Sequence, residues 1–256
     1  KQEASEVTHW LREQNIQTTI LGNASNVIIK DGGISGAVIM LNDMSHLKVD
    51  GTKIVAEGGV ALIDVSKEAA KNGLTGLEFA CGIPGSVGGA IYMNAGAEVV
   101  EYVEVITPEG HLKTYSAEEL EFSYRHSFIQ NTGDLVIEVG FQLDKGNQEE
   151  IDEKIAELTH LRQSKQPLEY PSCGSVFKRP EGYFTGKLIQ DAGLQGYQIG
   201  GAQVSNKHAG FIVNIDNATA TDYMDLIRHI QKVILEKDGV SLEPEVRIIG
   251  EEPTSH

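Results

Sequence analysis

The sequence feature that restricts the fold most is a glycine-rich stretch with very little charge, from Leu77 to Glu98. Seven of the 28 glycines fall between Gly73 and Gly96, and no charged residue stands between Glu78 and Glu98. Glycine reaches positive φ and lets backbone approach a ligand closely, so this run predicts a loop whose N–H groups bind something flat or phosphorylated. Tight turns in a β-rich domain are the alternative. The missing charge favours a binding loop, because a merely solvated loop usually carries polar side chains.

Length and charge limit the classes of partner. The chain has 256 residues, 40% of them hydrophobic, which suffices for two modest domains or one large one. Its 21 Lys and Arg against 37 Asp and Glu give a net charge of −16, which argues against nucleic acid or an anionic membrane as the main partner. No apolar run reaches 18 residues and the start is not signal-like, so we expect a soluble, cytoplasmic protein and a monomer.

Several familiar sites are excluded by spacing. No two glycines are separated by one residue, so the GxGxxG dinucleotide fingerprint is missing, and no GxxxxGK[ST] phosphate loop occurs. The eight histidines show no HExxH or similar spacing, so no metal site is predicted. Cys81 and Cys173 lack CxxC spacing and are expected to be reduced thiols.

The order of apolar patterns predicts an α+β protein. Helical periodicity covers residues 4–15, 62–72 and 149–164, and a capping box at Thr219–Asp222 begins a helix that ends at Gly239. Hairpin turns are predicted at Asp50-Gly51 and at residues 108–110. Helices and short hairpins in this order indicate an α+β arrangement and not a regular βαβ array. A domain boundary is expected at residues 144–148.

The glycine-rich stretch also carries a family resemblance. Its sequence GIPGSVGGAIYMNAGA resembles the flavin-binding signature of the UDP-N-acetylenolpyruvoylglucosamine reductases, and further segments resemble the same family: LGNASN, EFSYRHSF, YPSCGSVFKRP, the glycine-rich residues 186–214 and EPEVRIIG. The resemblance implies an FAD-binding domain of the vanillyl-alcohol-oxidase/PCMH type at residues 1–145, lacking its N-terminal strands. A C-terminal α+β substrate domain follows at residues 146–256. The chain looks like the shorter, second type of this reductase.

The resemblance also implies a set of flavin-binding residues in two loops. They are Gly22, Asn23, Ser25, Asn26, Gly82, Ile83, Pro84, Gly85, Ser86, Gly88, Gly89, Asn94 and Gly96. Amides and hydroxyls of the first loop can bind a diphosphate without a cation, which suits so acidic a chain. Residues 22–26 are equally the kind of small polar residues that form an ordinary turn after a strand.

Three residues are identified with catalytic positions of the family. Arg125 offers a permanently charged fork for the substrate carboxylate, although an Arg among aromatic residues is also typical of a structural cation–π pair. Ser175 is the matched proton donor, in a segment that otherwise reads as an edge strand, and the thiol of Cys173 two residues earlier is its rival. Glu245 is the matched glutamate, although Glu245 and Arg247, two apart on one strand, also suggest a structural ion pair.

The implied reaction is the reduction of UDP-N-acetylglucosamine enolpyruvate to UDP-N-acetylmuramate in peptidoglycan precursor synthesis. In it NADPH reduces FAD, leaves, and is replaced by the sugar, whose carbanion is stabilised by its carboxylate and protonated by Ser175. The residues expected to bind substrate are Tyr124, Lys178, Arg179, Gln190 and Arg247. Two alternatives remain: another FAD-dependent oxidoreductase of the same flavin-binding fold, and a catalytically silent nucleotide-binding module.

Overall fold

The structure is a computed structural model and describes residues 1–253. Its α-helices are α1 (Gln2–Glu13), α2 (Leu62–Lys71), α3 (Val87–Met93), α4 (Ile129–Thr132), α5 (Gln148–Lys165), α6 (Thr185–Asp191) and α7 (Ala220–Asp238). Its strands are β1 (Thr18–Leu21), β2 (Val27–Ile29), β3 (Ala37–Met40), β4 (Leu47–Asp50), β5 (Lys53–Glu57), β6 (Leu74–Thr75), β7 (Val100–Ile106), β8 (Leu112–Ser116), β9 (Leu135–Gln142), β10 (Asp144–Lys145), β11 (Ser172–Ser175), β12 (Gln198–Ile199), β13 (Ala202–Val204), β14 (Phe211–Asn214) and β15 (Arg247–Ile249). Short 3₁₀ turns occur at Glu78–Gly82 and Ala97–Val99.

The described chain divides into two compact units. The first comprises residues 1–23 and 36–161, and the second comprises residues 24–35 together with the chain from Arg162 onward. The division therefore falls inside α5, and residues 24–35 group with the later part of the chain. Compactness and independent folding are different properties, so the domain limits expected at residues 145 and 146 stay a prediction.

A five-stranded antiparallel sheet organises the first unit, in the order β4-β5-β9-β7-β8. Helix α2 lies against it because Leu62, Val65 and Ala69 recur at helical spacing and are buried. Helix α3 buries Val87 and Ile91 in the same cluster. A smaller apolar cluster involves β9, β3 and α1, and β1 pairs in parallel with β3. The segments that flank α3, including the glycine-rich loop, are thereby fixed on this sheet.

The second unit is built on a four-stranded antiparallel sheet in the order β11-β14-β13-β12. Helix α7 buries Leu226, Ile230 and Ile234 in a cluster that also contains Ile212 of β14. Its N-terminus carries the predicted capping box, because Thr219 accepts the Asp222 N–H and Asp222 accepts the Thr219 N–H. A separate parallel pair joins β2 to β15.

The hairpin and helix-end predictions are confirmed. Strands β4 and β5 pair across Gly51, and β7 pairs with β8 across residues 107–111. Helices α2 and α7 are followed by Gly73 and Gly239 at φ 65° and 67°, the left-handed conformation that glycine allows after a helix. Glu245 lies outside β15, which begins at Arg247, so the expectation that both residues lie on one strand is wrong, while an ion pair between them stays a prediction.

Candidate active site

The two predicted flavin segments of the first unit meet in space. Gly22 follows β1 and lies so close to Ser86 that a Cβ on Gly22 would overlap the Ser86 Oγ. Ser86 is 1% exposed and begins α3, where its Oγ accepts the Gly89 N–H at 3.2 Å. Two segments more than sixty residues apart in the sequence therefore form one surface, and the Ser86 side chain leaves no space for a Cβ on Gly22.

The glycine-rich loop uses several of its own amides internally. Gly85 donates to the Ile83 carbonyl at 2.9 Å, and Gly88 donates to the Gly58 carbonyl at 2.9 Å. The Gly89 N–H is likewise bonded to the Ser86 Oγ. Three of the predicted flavin-binding glycines therefore use their N–H groups for hydrogen bonds that fix the loop. These three N–H groups already have hydrogen-bond partners, so binding of a ligand through amides, which stays a prediction, would depend on the other N–H groups of the loop.

The composition of this loop nonetheless fits FAD. Pro84 is exposed, and Gly82, Ile83, Gly85, Gly88 and Gly89 are partly exposed, so the loop presents backbone and small side chains. No carboxylate occurs between Glu78 and Glu98, which removes local repulsion of a diphosphate in a chain of net charge −16. Exposed backbone and small, uncharged side chains of this kind can accept a large planar cofactor.

Asn94 and Gly96 have structural roles at the other end of α3. Asn94 takes φ 52° as the left-handed residue that ends the helix, and its Nδ2 donates to the Ser123 carbonyl at 2.6 Å. Gly96 has φ 121°, and a Cβ there would stand 2.8 Å from the Phe79 ring. Both positions are therefore fixed by conformation and packing whatever they bind.

Arg125 lies on a tight turn in the first unit. Ser123 and His126 exchange backbone hydrogen bonds of 3.1 and 3.0 Å, with Tyr124 and Arg125 between them. Arg125 has φ 55°, a left-handed conformation that costs a non-glycine residue about 1–2 kcal/mol. Its Cζ lies 5.7 Å from the centroid of the Tyr124 ring, so the cation–π alternative is present in loose form. Tyr124 itself is 63% exposed.

Ser175 and Glu245 lie on neighbouring segments of the second unit. The Glu245 N–H donates to the Val176 carbonyl at 2.7 Å, next to Ser175 at the end of β11. Asn26, which is predicted to bind flavin, donates from its side-chain Nδ2 to the Glu245 carbonyl at 3.2 Å. The backbone carbonyl of Asn26 accepts the Arg247 N–H at 3.0 Å. Three predicted site residues, Asn26, Glu245 and Arg247, are thus joined by hydrogen bonds, and Glu245 is bonded to the residue that follows Ser175.

A β-bulge separates Ser175 from its rival Cys173. Ser172 pairs with Val213 but Ser175 pairs with Phe211, so β11 has one extra residue, and Gly174 takes φ 75°. Residues two apart therefore do not follow the usual strand alternation here. The Cys173 Sγ lies 3.3 Å from the Val27 carbonyl, and burial raises the pKa of this thiol. The expectation that the two side chains share a strand face is weakened by this geometry.

His208 lies near Ser175, and the sequence indicates it only as a residue that could face ligand or equally be buried or exposed for structural reasons. A Cβ on Gly210 would stand 3.7 Å from the Ser175 Oγ and 3.0 Å from the His208 Cε1, so both side chains border the same glycine. The His208 Nδ1 lies 3.0 Å from the Gly210 nitrogen and accepts its N–H, which leaves the ring proton on Nε2. Burial lowers the His208 pKa and favours this neutral ring. The only sequence signal was its place in the glycine-rich segment.

The predicted substrate residues of the second unit are mostly at the surface. Lys178 pairs with Glu243 at 2.5 Å. Arg179 donates from Nε to the Tyr183 carbonyl at 3.2 Å, and its Cζ lies 4.0 Å from the Phe184 ring centroid. Gln190 is exposed on α6. Two basic side chains beside an exposed aromatic ring are suited to an anionic ligand.

Searches for metal clusters and membrane spans concern the described part of the chain. Residues 1–253 contain no group of three or more His, Cys, Asp or Glu side chains placed to hold a metal ion. None of the helices described there combines the length and apolarity needed to cross a membrane.

Comparison with known families and proteins gives concordant matches. Residues 166–249 match the profile of the UDP-N-acetylenolpyruvoylglucosamine reductase C-terminal domain, and residues 1–116 match an FAD binding domain. UDP-N-acetylenolpyruvoylglucosamine reductase of Lactiplantibacillus plantarum is 61% identical over 249 residues, 95% of this chain and 82% of that protein. The enzyme of Enterococcus faecalis is 58% identical over 98% of this chain and 86% of its own length.

A solved structure agrees with these relatives. The crystal structure of the UDP-N-acetylenolpyruvylglucosamine reductase from Thermus caldophilus superposes with a TM-score of 0.84 at 35% identity, covering 97% of this chain and 89% of that one. The α+β fold with an FAD-binding domain followed by a substrate domain is thereby confirmed.

Proposed function

Because the chain belongs to the UDP-N-acetylenolpyruvoylglucosamine reductase family, it is an FAD-dependent enzyme that reduces UDP-N-acetylglucosamine enolpyruvate to UDP-N-acetylmuramate with NADPH, and we propose that Arg125, Ser175 and Glu245 carry the chemistry at the enolpyruvyl group. This step belongs to peptidoglycan precursor synthesis. The observation that carries the proposal is the 2.7 Å hydrogen bond from the Glu245 N–H to the carbonyl of Val176, the residue that follows Ser175, which brings Glu245 next to the segment that holds Ser175.

FAD, when bound, supplies the redox chemistry, because it takes two electrons from NADPH and passes them to the terminal carbon of the enol ether. The chain's residues must then manage the negative charge that develops on the substrate. Arg125 stabilises it at the carboxylate, since a preorganised cation is worth most where charge grows in the transition state. Its backbone lies in a tight turn with a left-handed φ of 55°, which fixes the point from which the side chain starts.

Ser175 supplies the proton that completes the reduction. Its hydroxyl is a weak acid, but a carbanion next to a carboxylate is basic enough to take that proton, and the adjacent carbon then becomes saturated. Glu245 orients the cation or a water near this carbon. The Cys173 thiol is a stronger acid in principle, but it lies against the Val27 carbonyl beyond the bulge, which supports Ser175 as the donor.

The remaining candidate residues bind the two nucleotides. Gly22, Asn23, Ser25, Gly82, Ile83, Pro84 and the small residues up to Gly96 would hold FAD by shape and by the amides that the loop does not use itself. Lys178 and Arg179 would neutralise the diphosphate of the UDP-sugar, with Tyr124, Gln190 and Arg247 as further contacts. Asn26 would act indirectly, because its side chain donates to the Glu245 carbonyl.

We also propose that the enzyme works as a monomer in the cytoplasm. A net charge of −16 disfavours binding to nucleic acid or an anionic membrane, and its substrates are small, charged and water-soluble. Light scattering after gel filtration should give the mass of one chain, and a mass of two chains would contradict the monomer.

A visible spectrum tests the function. The protein should be yellow, and acid precipitation should release the flavin. Flavin that stays attached would point to Cys81, whose Sγ lies 3.8 Å from the Thr159 Oγ1. NADPH should bleach the spectrum without oxygen, and the enolpyruvyl sugar should restore it. A colourless protein that cannot be reconstituted, or a bleached enzyme that the sugar leaves unchanged, would contradict the proposal.

A further inference from the structure

The turn that carries Arg125 needs support from outside itself. It consists of four residues closed by two backbone hydrogen bonds, and Arg125 stands in a conformation that non-glycine residues avoid. A strained conformation persists only where the surroundings over-determine it. The residues that hold this turn therefore help to decide where the guanidinium points.

Gln130 contacts the turn directly. It is the second residue of α4, and its Nε2 donates to the Arg125 carbonyl at 3.1 Å and to the Tyr92 carbonyl at 2.7 Å. One amide group thus joins the strained residue to α3. The side chain of Gln130 is partly buried.

Two further hydrogen bonds fix the same region to α3. Ser127 is fully buried and donates from Oγ to the Tyr92 carbonyl at 3.0 Å. Asn94, at the end of α3, donates to the Ser123 carbonyl at 2.6 Å. Helix α3 follows directly after the glycine-rich loop. These hydrogen bonds therefore connect the turn that carries Arg125 to the helix that begins at the predicted flavin-binding loop. Among these contacts the Gln130 bond is the one made to Arg125 itself.

We propose that Gln130 is a positioning residue that holds Arg125 in its left-handed conformation, aimed at the substrate carboxylate, by donating to the Arg125 carbonyl. Gln130 does not touch substrate or flavin in this account. The inference rests on the proposed role of Arg125. It predicts a defect confined to the step in which negative charge develops on the sugar.

The test replaces Gln130 with methionine, which has a similar length but no donor. Gln130→Met should slow reoxidation of the NADPH-reduced enzyme by the enolpyruvyl sugar by about tenfold, the scale of a small misplacement of a catalytic group. Flavin content and the rate of reduction by NADPH should stay at wild-type values. Gln142→Met is the matched control, because Gln142 also donates from Nε2 to two oxygens, those of Thr52 and Leu143, and should change neither rate.

A double variant separates positioning from general support of the fold. In an Arg125→Ala background, Gln130→Met should cause no further slowing, because the group that it positions is gone. A further tenfold loss there, an equal loss in both half-reactions, or an unchanged sugar-dependent rate in Gln130→Met alone would overturn the inference. If Gln130→Met does not fold, Gln130→Glu, of the same shape but without amide donors, decides by the same criteria.

The failure of the underlying function gives a different result. If Arg125→Ala alone leaves the sugar-dependent step unchanged, Arg125 is not the catalytic cation and the proposed function of this residue fails. If Arg125→Ala slows that step and Gln130→Met does not, only the inference about Gln130 fails.

Discussion

The contact between Gly22 and Ser86 predicts that these positions are strongly coupled. Gly22 has no positive φ, so alanine there meets no backbone strain and the effect of Gly22→Ala is steric. The added Cβ would overlap the Ser86 Oγ, while it would stand 3.5 Å from the Ser86 Cβ, an ordinary contact. The hydroxyl oxygen alone therefore causes the clash.

The magnitude follows from what Ser86 must give up. Rotating its Oγ away loses the bond to the Gly89 N–H, a helix cap worth about 1 kcal/mol. The displaced hydroxyl stays in a site that is 1% exposed, and an unsatisfied buried polar group costs about 1 kcal/mol or more. Gly22→Ala should thus lower the free energy of unfolding by about 2 kcal/mol, and Ser86→Ala by about 1 kcal/mol for the lost cap.

Urea unfolding of both single variants and of the double variant gives the coupling. With Ser86→Ala in place the clash is gone, so adding Gly22→Ala should cost almost nothing, a coupling of about 2 kcal/mol. The affinity for FAD should fall in the same order as the stability, with Gly22→Ala binding FAD most weakly. Costs that simply add, about 3 kcal/mol in the double variant, would refute the reasoning.

Two other predictions concern charge at the site. Arg125→Ala and Glu245→Gln should each slow the sugar-dependent half-reaction by about two to three decades, measured by stopped-flow absorbance. The rate of flavin reduction by NADPH should stay almost unchanged. Equal losses in both half-reactions would mean that the two residues shape the fold. Burial lowers the His208 pKa, so the folded state binds fewer protons than the unfolded state, and the free energy of unfolding should fall as the pH drops below about 6.5. His208→Gln should reduce this loss, measured as the change in the urea midpoint between pH 7.5 and pH 5.5. The same loss of stability in the variant would contradict the prediction.

Local patterns in the sequence were enough for most individual elements. Glycine after an amphipathic run marked the ends of α2 and α7, and Asp50-Gly51 marked a hairpin. These signals are readable because each depends on residues within one or two turns of the chain.

Long-range pairings were not readable in this way. Strand β2 pairs with β15, so Val27 stands beside Arg247, and no pattern within either segment states that partnership. The same pairing lets Asn26 donate to the Glu245 carbonyl, a contact that no pattern in either segment indicates.

The details of the site depended on single backbone conformations. Gly174 was visible in the sequence, but its φ of 75° and the bulge that separates Cys173 from Ser175 were not. The family resemblance supplied Arg125 without the left-handed turn or the amide of Gln130 that supports it. Residue type can be carried over from a motif, whereas the hydrogen bonds that aim a side chain come from the fold.

Single-turnover reoxidation of the reduced enzyme tests the central claim most directly. Enzyme reduced by NADPH without oxygen is mixed with the enolpyruvyl sugar, and the return of flavin absorbance is followed for wild type, Ser175→Ala and Cys173→Ala. Loss of a general acid is worth roughly 10² to 10⁴ in rate, so Ser175→Ala should be slower by that range while Cys173→Ala matches wild type and both are reduced by NADPH normally. Wild-type reoxidation in Ser175→Ala, or its abolition in Cys173→Ala, would contradict the assignment of Ser175 as the proton donor.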